Sequence, residues 1–185
     1  MPSRPRRRGR NTLALAALLL AVLMAAPDAR PETALHCGAA PSPEDVLRRL
    51  NEARARGAVC NHAGTLAVAA PLQWNASLAA VAEAQAQDMA ELDQMSHRDS
   101  QNRALPERLT LMGYRFSAAA ENVAVGYSSL DAVVEAWLRS QSHCDNMMNA
   151  KVRELGLACV DARAVGNVGE GRYWTLILGA QRRVR

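Results

Sequence analysis

His97, Glu121 and His143 are the residues of this chain whose types and surroundings could do chemistry. They sit in three short segments: Ser96-His97, Ala120-Glu121-Asn122-Val123-Ala124, and Trp137-Leu138-Arg139-Ser140-Gln141-Ser142-His143 running on into Asn146-Met147-Met148. Two of the chain's four histidines and a carboxylate thus stand at element boundaries, where a fold can bring them together. Ser140 and Ser142 beside an imidazole and a carboxylate invite a Ser-His-Glu hydrolase reading. No G-x-S-x-G elbow is present, and neither serine lies on a recognisable strained turn. Each residue also has a structural reading. His97 at a helix exit can face the terminal carbonyls, His143 can be a loop histidine bonded to backbone, and Glu121 can accept backbone N–H groups.

The elements that must position these residues are legible as pattern. Ser42 can cap a first helix, with Pro43 at its first position, Glu44 and Asp45 at the positive end of its dipole, and Gly57 as its stop. Val46, Leu47, Leu50 and Ala53 make its apolar stripe. Leu72-Gln73-Trp74 reads as extended. Asn75 caps a longer helix carrying Leu78, Val81, Ala82, Met89 and Leu92 to about Asp93, which delivers Ser96-His97 at its exit.

A short helix over Pro106 to Met112 stops at Gly113, and Glu121 to Tyr127 reads as a strand. Ser129 caps a core-facing helix with Leu130, Val133, Val134, Trp137 and Leu138 on one side. His143 lies just past it. Glu154 to Arg163 and Arg172 to Gln181 form an antiparallel hairpin around the 166–171 turn. In the second of these strands Tyr173, Thr175 and Ile177 alternate with Trp174, Leu176 and Leu178, so both faces need cover. That places helices on each side of the sheet. Asn122 serves local backbone, Trp74 and Trp137 belong to the core, and Met147-Met148 packs.

With 185 residues there is room for one domain behind a leader. Arg4, Arg6, Arg7, Arg8 and Arg10 precede a 14-residue apolar run from Leu13 to Ala26. This is the order of a secretory signal peptide, over residues 1–29, and the run is short of the roughly 20 residues of a membrane span. An arm over 30–41 and a domain over 42–183 follow. Removing the leader's five arginines and one aspartate takes the formal charge from +4 to zero. The mature domain is therefore expected to have no general affinity for nucleic acid.

The expectation is an exported protein, extracellular or periplasmic, monomeric and without a transmembrane anchor after cleavage. Cys37, Cys60, Cys144 and Cys159 are an even set in such a chain, which favours disulfides, and no zinc-type C-x-x-C spacing is present. Three pairings are possible. Short loops favour Cys37 with Cys60 and Cys144 with Cys159.

Taken together, Trp74-Asn75, Ser96-His97, Glu121-Asn122-Val123-Ala124 and Trp137-x-x-Ser140-x-x-His143-x-x-Asn146-x-Met148 resemble the bacterial branch of the CAP superfamily. That superfamily joins cysteine-rich secretory, antigen 5 and pathogenesis-related proteins, and the resemblance covers roughly residues 43–181. It implies an α+β fold, a three-layer α-β-α sandwich with a central antiparallel sheet and a large cleft. It also implies that the cleft is lined by His97, Glu121, Ser140 and His143. In relatives two histidines and two glutamates line the cleft, and a divalent metal such as Zn²⁺ is associated with it. Here Ser140 stands where the second glutamate falls.

By that carry-over His97, His143 and Glu121 would hold an ion, with water in a fourth position. The binding would be weak, because Ser140 supplies no charge. Glu135, two residues before Trp137, points about 200° around the helix from it and is no substitute. The resemblance favours a binding module for a divalent metal, a lipid or sterol, or another cell-envelope ligand. The alternative it leaves is a metal-assisted hydrolase of peptide or cell-wall substrate, with Glu121 as third ligand or general base.

Overall fold

The computed structural model describes Met1, Cys37 and residues 40–60, 68–162 and 171–182. The leader beyond Met1, most of the arm and most of the 166–171 turn lie outside the described residues. The chain divides into compact units over residues 1–32 and 33–185, and every element below belongs to the second. In chain order these are α1 (Pro43–Arg56), β1 (Gln73–Trp74), α2 (Ala76–Leu92), α3 (Leu105–Leu111), β2 (Phe116–Val125), α4 (Leu130–Arg139), α5 (Gln141–Met147), β3 (Glu154–Asp161) and β4 (Arg172–Gln181).

The helix boundaries follow from local chemistry. Ser42 Oγ accepts from Asp45 N at 3.1 Å, Asn75 Oδ1 accepts from Ser77 N and Leu78 N, and Ser129 Oγ accepts from Ala132 N at 3.2 Å. Each cap satisfies N–H groups that the first helical turn leaves without a partner. Gly57 closes α1 at φ 78° and returns its N–H to Ala53 O. Asp93 closes α2 in the left-handed region, at φ 49°.

The strands form one sheet in the order β1-β3-β4-β2. β4 is antiparallel to both β3 and β2, whereas the two-residue β1 runs parallel to β3 at the margin. Both alternating sets of β4 are buried. Trp174, Leu176 and Leu178 pack with Val46 and Leu50 of α1, Val133, Val134 and Trp137 of α4, and Met147 of α5. Tyr173 packs with Ala86, Met89 and Ala90 of α2, and Ile177 with Leu78, Val81 and Ala82 of α2 and Leu109 beyond them on α3. The result is a three-layer α-β-α sandwich. At Gly156 the layers touch without a side chain between them, since a Cβ there would collide with the backbone of Leu78 and Ala79.

Several expectations are corrected. β2 starts at Phe116, not Glu121, because pairing with β4 recruits Phe116 to Ala120, whose alanines carry little strand preference of their own. Leu92 is exposed, one turn past the buried stripe of α2. His143 is not in a loop; it lies within α5.

The disulfides join Cys37 to Cys159 and Cys60 to Cys144, spanning 122 and 84 residues, with Cα–Cα distances of 5.6 and 5.3 Å. Loop length is a weak criterion, about 0.6 kcal/mol per doubling, and placement overrides it. Cys144 rides on α5 over β2, while Cys159 is on β3, two strand spacings away. That is about 10 Å, beyond the roughly 7 Å Cα reach of a disulfide.

Candidate functional site

Glu121 is the centre of the site. Its side chain is 4 % exposed, on the face of β2 turned toward α2 and α3. Oε2 accepts from Arg108 Nη2 at 2.7 Å, and the guanidinium is itself buried at 5 % exposure. Oε1 faces His97 Nδ1 at 2.9 Å. A carboxylate held by a guanidinium has no proton to give, so Nδ1 carries the hydrogen and Nε2 is the ring's remaining polar atom. The imidazole is 59 % exposed. The pKa of His97 is raised above the ordinary 6.5, chiefly by its bond to Glu121, which outweighs burial.

Three further groups fix the backbone that carries His97. Gln85, buried on α2, donates Nε2 to Ser96 O at 2.8 Å and Arg98 O at 3.2 Å. Arg108 Nη2 also reaches His97 O at 3.3 Å. Asp99 Oδ1 accepts from Gln101 N and Arg103 N, knitting the following loop. His97 is therefore not a helix-exit histidine facing carbonyls. It is aimed by a carboxylate from a strand, which an arginine on α3 holds in place.

His143 reaches the site differently. α5 docks on β2 through Asn122 Nδ2, which donates to His143 O at 3.0 Å, and through Asn146 Nδ2, which donates to Asn122 Oδ1 at 2.9 Å and Glu121 O at 3.2 Å. Asn122 thus serves the backbone of α5, not the strand beside it. Burial lowers the pKa of His143, and the charge of His97 adds to this. Ser140, between α4 and α5, caps α5 by position without a side-chain hydrogen bond.

Of the expected site residues, His97 and Glu121 are joined directly, His143 is carried on α5, whose backbone is bonded to Asn122 of β2, and Ser140 is a neutral neighbour in sequence to α5. Arg108 was not legible, because its partner is 13 residues further on and only the fold of α3 onto β2 unites them. Gln85 was hidden within the α2 stripe.

A tetrahedral zinc needs three or four protein donors converging on one point. Among the described residues no group of three or more His, Cys, Asp or Glu is placed to hold an ion. Glu121 has both oxygens engaged, and Ser140 brings no charge. As positioned, His97, Glu121 and His143 do not fit a three-ligand ion. What the geometry does provide is a carboxylate behind an imidazole, the arrangement that fixes a histidine's tautomer and aim.

The three-layer sandwich, with a His–Glu pair at the exit of α2 and a second histidine on a helix over β2, defines a CAP-type domain. The cysteine-rich secretory protein family, CAP, matches residues 47–178, and the chain belongs to that family.

It is 30 % identical over 105 residues to the protein YkwD of Bacillus subtilis, covering 57 % of this chain and 38 % of that protein. It is 34 % identical over 88 residues to the membrane protein YlbC of the same organism, covering 48 % and 25 %. The chain therefore spans well under half the length of these curated relatives.

Among solved structures, an extracellular protein containing an SCP domain from Bacillus anthracis matches with a TM-score of 0.60 at 24 % identity, over 75 % of this chain and 40 % of that one. An outer surface protein of Borrelia burgdorferi matches at 0.58 and 18 %, over 77 % and 97 %. At these identities the likeness is one of fold. No helix among the described residues is long and apolar enough to cross a membrane.

Proposed function

We propose that this is an exported binding module, extracellular or periplasmic, whose cleft between His97, Glu121 and His143 takes a cell-envelope ligand. One observation carries the choice of binding over hydrolysis. Glu121 is buried, with one oxygen on Arg108 and the other on His97, so it is neither a free general base nor a free anionic ligand for a metal. Two disulfides suit an oxidising compartment, and the resemblance to an extracellular SCP-domain protein points the same way.

The test is calorimetry and pull-down with the purified mature protein against Zn²⁺, phospholipid vesicles and isolated peptidoglycan. The expected result is saturable binding to an envelope fraction, weakened at least tenfold when His97→Ala and His143→Ala are combined in a protein that keeps its circular dichroism. Two results would overturn the proposal: no binding in any arm, or hydrolysis of peptide or cell-wall substrate that disappears with the two histidines.

A further inference from the structure

Among the described residues β2 lies at the margin of the sheet, paired to β4 on one side and to no strand on the other. Such an edge is a row of donors and acceptors that an extended chain can join unless something covers it. Along an antiparallel strand the N–H and C=O of one residue point to one side and those of the next residue to the other. The carbonyls of Glu121 and Val123 point away from β4, because they accept from Asn146 Nδ2 at 3.2 Å and Trp137 Nε1 at 3.3 Å. By the same parity, Ala119 points outward as well. Its cross-strand neighbour Gly179 agrees, since Gly179 O is turned toward the opposite side, where it accepts from Arg153 N at 2.8 Å.

No described residue bonds to this outward N–H or C=O of Ala119. Among the described residues the edge thus has a covered half, capped by side chains of α4 and α5, and an open half between the register shift at Phe116/Ala118 and Ala120. Ala118, Ala119 and Ala120 are partly exposed, and their methyl groups are too short to shield the backbone. No lysine, proline or inward charge, the usual guards of an edge, stands from Phe116 to Ala120.

We infer that the cleft takes its ligand as an extended peptide, one end of which joins β2 as a short added strand with Ala119 as its backbone anchor. A strand continued from Ala119 along β2 comes level with Glu121 after two residues, about 7 Å. Glu121 is where His97 is held and α5 carries His143. Backbone pairing at the edge sets the direction of the ligand, and side chains in the cleft then choose among sequences, as in other cases of strand addition. This deepens, and rests on, the reading of the cleft as a binding site. The open run is three residues long. That is too short for edge-to-edge pairing of two whole sheets and enough for the end of a single strand.

The test uses ¹⁵N-labelled mature protein titrated with a blocked heptapeptide of alternating valine and threonine. Two companions carry N-methyl groups, one on the residues facing β2 and the other on the intervening residues. The expected result is that the amides of Ala119 and His97 both shift. Methylation of the facing residues weakens binding at least tenfold, and methylation of the others leaves it unchanged. Ala119→Pro should weaken the parent peptide to the same extent. That proline removes an outward N–H, not one in the β4 ladder, and the methylated peptides decide the matter with native protein if this variant fails to fold.

Equal binding by both methylated peptides, no shift at Ala119, or protection of Ala119 that grows with protein concentration alone would overturn the inference. The last outcome would assign the edge to a second copy. If Ala119→Pro holds peptidoglycan as native protein does while the double histidine variant does not, only the edge inference falls. If native protein holds no envelope fraction, the cleft reading falls, and the peptide titration still decides the edge.

Discussion

The segment that carries His97 and the helix that carries His143 are held in opposite ways. At His97 the ring itself is bonded, through Glu121 to Arg108, and the backbone is pinned by Gln85. At His143 the surrounding helix is bonded instead. Asn122 holds its carbonyl, Cys144 is tied to Cys60, and Arg54 Nη1 donates to Met147 O at 2.6 Å at the end of α5. No hydrogen bond reaches the His143 ring among the described residues. One imidazole therefore has its tautomer set and its pKa raised through a buried ion pair, while the other has its position set by the helix around it. Held this way, the two histidines stand on one rigid side and one adaptable side.

The largest effect should come from breaking the rigid side. Arg108→Met leaves Glu121 as a buried carboxylate without its cation, and removing one partner of a buried pair costs about 3–5 kcal/mol. Urea unfolding should show a loss of that order, and the Arg108→Met/Glu121→Gln double variant should recover part of it. If the single and double variants are equally unstable, the pair is not what holds the His97 side.

The adaptable side should respond next. Cys60→Ala with Cys144→Ala should cost about 2–5 kcal/mol, with hydrogen-exchange protection lost in α5 and kept at residues 96–98. Uniform loss across both regions would contradict their separate anchoring. Asn122→Ala removes the donor to His143 O and the acceptor for Asn146, a cost of about 1–3 kcal/mol. Its exchange signature should again be confined to α5.

These anchors also show what sequence could disclose. The caps Ser42, Asn75 and Ser129 and the doubly apolar β4 are local signals, and each is realised where the pattern places it. His97, Glu121 and His143 were legible as candidates for one site, but the direct bond between His97 and Glu121 was not, because only the fold brings the exit of α2 against β2. Arg108 was not, since an arginine in a seven-residue helix looks like a solvated residue until α3 folds onto β2. α5 was invisible because Gln141–Met147 is too short and polar to show an apolar stripe. The disulfide partners escaped because loop entropy discriminates too weakly against long closures.

The smallest effect is the one that separates the two histidines most directly. His97 has its pKa raised by Glu121, so the folded state binds more protons there than the unfolded chain does near neutrality. Its stabilising contribution is full below pH 6.5 and fades as pH rises through the elevated value. His143 has its pKa lowered by burial and by His97, so its contribution is present above pH 6.5 and fades as pH falls through the depressed value. Solvent screening of the exposed His97 ring keeps its share small, so ring resonances report this better than unfolding curves. On lowering the pH, His97 should take its proton first and His143 second. Glu121→Gln should draw the two titrations together, because it removes the bond that raises His97 and with it part of the charge that depresses His143. If His143 protonates first in native protein, or if Glu121→Gln leaves the separation unchanged, the Arg108–Glu121 pair does not set the order in which the two histidines titrate.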